Sequence, residues 1–255
     1  MTEALNFKTN RVSKPFETGD RVVPLNRYTL IQTNERCRQN LETLTLELSS
    51  RFGRIMSTYG DIYDVYDREP TDLNGIPISQ TNLPIDFHTD SSQKDTIPDV
   101  VGLTCVQHAY GGETVLTDVR DAYVRLEKFH PWTLQILHQS FPRAIVTPGS
   151  PRSVQEIKRN SFPIFQFGDT GNLEMRYMRS WVEEGSRLLG NPLDELHLTA
   201  LDHLDSALES SIVYQRQLKP GDILFFNNRQ FAHARLPYQD FVDKKRHLLR
   251  VWLGA

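Results

Sequence analysis

Two long amphipathic segments bracket a series of short apolar runs separated by turn signals, and this alternation restricts the fold more than any other feature. The first segment, about Thr33 to Tyr59, sets Leu41, Leu44, Leu48, Phe52 and Ile55 at helical steps on one face. The second follows Asn191-Pro192, carries Leu193, Leu196, Ala200, Leu204, Leu208 and Ile212, and ends well before Lys219-Pro220-Gly221-Asp222. Between and after them lie strand-like runs at Val100 to Gln107, Thr114 to Thr117, Arg143 to Thr147, Pro163 to Phe167, Leu173 to Met178, Ile223 to Asn227, Phe231 to Arg235 and His247 to Leu253. Asp118 reads as the N-cap of a further helix through Tyr123 and Leu126. Ala109-Tyr110-Gly111-Gly112 reads as a turn joining the first two runs, and Ser150 to Ser161 as a mobile connection. Helices outside many short strands predict an α+β fold with a jelly-roll-like core.

The length of 255 residues suits one elaborated domain, with the polar stretch Met1 to Asp20 loosely tied down. A net charge of -3, from 29 basic and 32 acidic side chains, provides no field to gather nucleic acid or an anionic membrane. Without an apolar run of spanning length or a cleavable leader pattern, the chain reads as soluble. Two cysteines, Cys37 and Cys105, form neither a disulfide framework nor a zinc motif, which makes a reducing cytoplasm the default compartment. Cys105 reads as a small buried hydrophobe and Cys37 as the opening of a helix. A small molecule is the natural partner.

Phe87-His88-Thr89-Asp90 sets an imidazole and a carboxylate two residues apart, which on extended backbone point to the same side. His233, next to a strand-like run, supplies a third donor. Two histidines and one carboxylate on one face of a metal leave the opposite positions open, as in oxygen-activating ferrous enzymes. A closed structural zinc site favours four ligands, usually with thiolates. The His-x-Asp pair alone does not separate a ligand set from two unrelated polar residues. His108, His130, His138, His197, His203 and His247 stand in no comparable frame.

Thirteen residues beyond His233 comes Arg246, followed by Arg250. Positions i and i+4 of a strand share a face, so the two guanidiniums form a plausible edge for a dicarboxylate. Their setting among Leu248, Leu249, Val251 and Trp252 argues against free surface charge, since a cation in an apolar strand needs a partner. Thr114, after Gly111-Gly112-Glu113, would add a hydroxyl beside that carboxylate; the bland alternative is a hairpin turn leading into an ordinary strand residue.

Together, His88-Thr89-Asp90, Gly111-Gly112-Glu113-Thr114, Asn227-Asn228-Arg229 leading to His233-Ala234-Arg235, and Arg246-x-x-x-Arg250 resemble the taurine dioxygenase and clavaminate synthase superfamily, in order and spacing from about Leu83 onward. The resemblance implies a distorted double-stranded β-helix with Fe(II) on His88, Asp90 and His233. It implies that 2-oxoglutarate chelates the metal by its keto acid end while Arg246, helped by Thr114, holds the far carboxylate, and that dioxygen (O2) is the oxidant. It also implies that Arg250 meets an anionic group of the prime substrate or of the co-substrate. Halogenating relatives lack the carboxylate ligand, so Asp90 favours hydroxylation or desaturation.

The expected substrate is a small anionic or zwitterionic molecule, such as an amino acid, met by Arg250 and by Arg176, whose other reading is an exposed strand residue. Two other classes keep the same scaffold. A cupin-type oxygenase needs neither Arg246 nor Thr114, and a non-catalytic binding protein would tolerate loss of a metal ligand.

Overall fold

The computed structural model describes residues 27–69, 77–91, 96–144, 153–169 and 171–254. The stretch 1–20 expected to be loosely tied, and the run 145–152, lie outside them. The fold is mixed, with helices around antiparallel strands arranged in two main sheets. The larger sheet orders Tyr28–Gln32, Asp222–Asn227, Val100–Gln107, His247–Gly254 and Arg54–Ile55, and Tyr63–Val65 also pairs with His247–Gly254. The smaller orders Ile212–Arg216, Thr114–Asp118, Phe231–Arg235 and Ile85–His88.

The sheets face one another across a core that includes Val101, Leu103, Cys105, Leu224, Phe226 and Leu248 from the larger and Leu116 and Phe231 from the smaller. Val100–Gln107 is buried at its first six positions because both its faces are covered. Its outer side, with Phe225, Val251 and Leu253, packs on Leu44 and Leu48 of the helix Arg38–Ser49. Gly102 makes room there, since a Cβ would stand 2.6 Å from the Phe225 ring. Beyond the smaller sheet, the helices Val119–Phe129, Pro131–Leu137, Arg179–Leu188 and Glu195–Glu209 close a second core around Phe165, Met175, Tyr177 and Ala232.

Several expectations need correction. The first helix stops at Ser49, not near Tyr59, because Arg54–Ile55 pairs with Leu253 and Gly254 at the sheet edge. Phe52 and Ile55 still pack beneath the sheet, but from a turn and a strand. Val100–Gln107 and Thr114–Asp118 are both strands, yet they do not pair: the Gly111-Gly112 turn, at φ 73° and 72°, carries the chain from one sheet to the other. The connection expected at Ser150 to Ser161 contains a helix at Val154–Arg159, capped by Ser153. Arg143 follows the strand Ser140–Pro142 and is fully buried, donating to four main-chain carbonyls.

The second long helix runs Glu195–Glu209, with Asp194 accepting from the His197 amide. Ala200, Leu204 and Leu208 are buried as the periodicity predicts, whereas Leu196 is 54% exposed and Ile212 belongs to the next strand. Leu204→Ala should therefore cost about 2–5 kcal/mol through the cavity it leaves. Leu196→Ala should stay within about 0.5 kcal/mol of the parent. Urea unfolding of the two variants checks the contrast, and equal losses would refute this burial assignment.

Candidate metal centre

His88 ends the strand Ile85–His88 and stands directly opposite His233 in the antiparallel pair with Phe231–Arg235. Cross-strand neighbours project on one side, so the two imidazoles lie with centroids 4.0 Å apart. Past the strand end the chain turns, and Asp90 brings its Oδ1 to 3.6 Å from His88 Nε2 and 3.8 Å from His233 Nε2. The three potential donor atoms lie within 4.8 Å of one another, in the one such cluster among the described residues.

The loop carrying Asp90 is held from two directions. Thr89, between the two sequence-adjacent candidate ligands, donates its amide to the Tyr177 carbonyl and accepts the Tyr177 amide at Oγ1. Asn228, wholly buried, accepts the Asp90 amide at 2.8 Å and donates to the carbonyls of Asp90 and Pro98. The aspartate side chain is gripped as well: Trp252 Nε1 donates to Oδ2 at 2.6 Å, and Arg250 Nη1 lies 3.3 Å from the same oxygen. Neither Asn228 nor Trp252 was assigned a role from sequence. For Trp252 the available signal was its i+2 relation to Arg250, which puts both on one strand face.

Burial pushes the Asp90 carboxyl up, but Arg250 and the two imidazoles together hold it well below the usual carboxylate range. Burial pushes His233 well below the ordinary histidine value, reinforced by His88, so it stays neutral. An ionised carboxylate beside a neutral, lone-pair-bearing imidazole is the protonation state metal binding requires. His88 Nδ1 lies 2.9 Å from the Asp86 carbonyl, an outer hydrogen bond that fixes the ring.

The two arginines predicted to share a face have different surroundings. The strand begins at His247 and its register shifts between His247 and Leu248, so Arg246 stands just outside the regular alternation. Arg250 lies over the Tyr63 and Trp252 rings and on Asp90. Arg246 lies over Tyr238, is 4% exposed, and its Nη1 has no hydrogen-bond partner among the described residues. Gly112 packs so closely that a Cβ there would sit 3.2 Å from Arg246 Nε. Thr114 is buried two residues on, opposite Arg235, and does not bond to Arg246.

Arg235, also over Tyr238, donates through Nη2 to the carbonyls of Ile78, Thr81 and Leu83; burial and then Arg246 lower its pKa to about 10. Arg176 is buried over the Phe162 ring, which overturns its reading as an exposed strand residue. Cys105 is wholly buried and pushed up to about 12 by that burial, as a small hydrophobe should be; Cys37 is the exposed N-cap residue of the first helix.

Residues 33–252 match the family described as taurine catabolism dioxygenase TauD, TfdA. The chain belongs to this family. It is therefore a member of a class of non-haem iron dioxygenases that depend on Fe(II), 2-oxoglutarate and O2. The match reaches well before Leu83, where no signature was visible from the motifs alone.

Similar curated proteins include the uridine-5'-phosphate dioxygenase of an Amycolatopsis species, 28% identical over 200 residues, 75% of this chain and 68% of that protein. Clavaminate synthase 2 of Streptomyces clavuligerus is 27% identical over 76% of this chain and 57% of its own length. The human gamma-butyrobetaine dioxygenase is 25% identical over 79% of this chain and 51% of its own length. The chain thus spans little more than half of the last two. In fold it is similar to the non-haem iron oxygenase OrfP solved with Fe and alpha-ketoglutaric acid, with TM-score 0.66 and 17% identity over 90% of this chain and 75% of that one. An asparagine oxygenase solved with Fe(II), 3-hydroxyasparagine and succinate gives TM-score 0.65 and 17% identity over 89% and 73%. No helix among the described residues is long and apolar enough to cross a membrane.

Asn228→Ala removes three buried hydrogen bonds around Asp90 and strands their partners, so it should destabilise the metal-free protein by about 2–4 kcal/mol. Denaturant unfolding measures this, and a loss below about 0.5 kcal/mol would show that the loop does not depend on Asn228.

Proposed function

We propose that this chain catalyses Fe(II)- and 2-oxoglutarate-dependent oxidation, most simply hydroxylation, of a small polar molecule carrying a carboxylate or similar anion, such as an amino acid. His88, Asp90 and His233 hold the metal, Arg246 with Thr114 anchors the far carboxylate of 2-oxoglutarate, and Arg250 receives an anionic group of the prime substrate. The fold that carries them reads as a distorted double-stranded β-helix, its two facing antiparallel sheets supporting a site near one end of the smaller.

The observation that carries this reading is Arg246. A buried guanidinium with an unpartnered Nη1 is costly unless something anionic completes it; Asp240 acts on Arg246 only through space, and no carboxylate among the described residues forms an ion pair with it. A dicarboxylate co-substrate supplies that group, whereas a cupin-type oxygenase leaves the arginine without work. The asparagine oxygenase named above, similar in fold, was solved with 3-hydroxyasparagine, and an amino-acid substrate for this chain is in keeping with that.

When bound, the metal and co-substrate supply the oxidising chemistry. The protein's own part is placement. The paired strands hold two imidazole donors side by side, and the Asp90 loop adds one anionic donor from the same side, leaving the remaining metal positions for exchangeable ligands. Arg246 fixes the co-substrate by a planar fork, against Tyr238 and the bare face of Gly112. Arg250, flat between Tyr63 and Trp252, has its charge restrained beside the ligand cluster and available to a substrate anion.

Anaerobic addition of Fe(II) and then 2-oxoglutarate should produce the weak visible charge-transfer absorption of a chelated keto acid, and His233→Ala should abolish it. Iron binding without the band would defeat the co-substrate assignment, and no iron binding would favour a non-catalytic role. In the same titration Arg246→Met should weaken 2-oxoglutarate binding about 10- to 100-fold, the value of a lost charge-assisted hydrogen bond. With a substrate identified by succinate release, Arg250→Met should raise its KM far more than it lowers thermal stability; unchanged kinetics would remove Arg250 from the substrate site.

A further inference from the structure

The two oxygens of Asp90 have different neighbours. Oδ1 faces His88 Nε2 and His233 Nε2 at 3.6 and 3.8 Å. Arg250 Nη1 is almost equally near both oxygens, 3.4 Å from Oδ1 and 3.3 Å from Oδ2, whereas Trp252 Nε1 donates to Oδ2 at 2.6 Å. We propose that Trp252 is a positioning residue for the metal: its indole N–H pins Oδ2 so that Asp90 offers Oδ1 alone, as a single-oxygen ligand on the side of the two histidines.

Trp252 is well placed to do this. Its strand pairs with Val100–Gln107, where Trp252 stands opposite Val101, and its carbonyl accepts from the Met56 amide at 2.8 Å. Its ring packs against the core between the sheets and edge-on to Tyr59, so the N–H vector is fixed by surroundings on both sides. The indole N–H is also a neutral donor, and Asp90 is its acceptor among the described residues. Arg250 touches the same carboxylate but, on the function proposed above, is shared with the substrate anion. A carboxylate steadied by Arg250 alone would change its orientation whenever substrate arrived or left; Trp252 keeps it fixed throughout. Partners that orient a ligand in this way typically alter metal affinity by about 10- to 100-fold.

The inference rests on the metal assignment of His88, Asp90 and His233, and the test separates the two. Metal-free wild type and Trp252→Phe, which keeps an aromatic ring but loses the N–H, are titrated with Co(II) and followed by its visible ligand-field spectrum. The expected result is a 10- to 100-fold weaker affinity in the variant and an altered spectrum, since the carboxylate is free to rotate. Affinity within twofold and an identical spectrum would overturn the role of Trp252 while leaving the metal site standing. Absence of Co(II) binding in wild type would overturn both.

A second measurement needs no folded Trp252 variant. Wild type labelled with 15N at the indole nitrogens has three such signals, from Trp132, Trp181 and Trp252, assigned by Trp132→Phe and Trp181→Phe. The Trp252 signal should lie downfield, exchange slowly and move on addition of Zn(II). An ordinary shift that ignores the metal would rule the hydrogen bond out.

Discussion

Burying an ionised carboxylate between two imidazoles is the constraint around which the site is built. Asp90 is 5% exposed, and a charge so placed would be intolerable without compensation. Arg250 supplies opposite charge, Trp252 a short hydrogen bond from a neutral donor, and Asn228 holds the backbone on either side. Each comes from a different strand or turn than Asp90 itself. The larger sheet contributes Arg250 and Trp252, and the end of its strand Asp222–Asn227 leads directly into Asn228. The two sheets must therefore come together before the aspartate is satisfied, which ties the candidate centre to completion of the fold.

Both sheets need an outer cover for the same reason. The helix Arg38–Ser49 shields one and the four-helix layer around Tyr177 the other, so that strands at the site are buried on two sides. Tyr177 joins this helical layer to the centre: its hydroxyl donates to Asp205 at 2.7 Å, and its backbone holds Thr89. Helix packing thus reaches the candidate ligands through one residue, and the low dielectric it creates keeps His233 neutral.

Arg246 and Arg235 show the opposite situation, buried cations not matched by acids. Arg235 satisfies part of its fork on the carbonyls of the segment before Ile85, thereby tethering that segment to the strand bearing His233. Arg246 has no such carbonyl shelf, and its Nη1, like Nε and Nη1 of Arg235, has no hydrogen-bond partner among the described residues. On the function proposed above, Arg246 is the guanidinium that takes a ligand's charge, and the carbonyl-tethered Arg235 belongs to its scaffold.

Much of this could be read from the chain alone. Periodicity placed most strands and the buried stripe of Glu195–Glu209; short spacing, a local property, brought out His88 with Asp90 and Arg246 with Arg250 as candidates, and the resemblance of the assembled motifs to a known family joined them with His233. Only the tertiary structure decided which strands share a sheet, where the first helix gives way to the strand Arg54–Ile55, and how Arg246 and Arg250 diverge across a shifted register. It alone revealed the residues that steady Asp90: Asn228 lies 138 positions away and Trp252 162. Contacts between such distant residues leave no period in a sequence, and a tryptophan in an apolar strand looks the same whether its N–H meets solvent or a carboxylate.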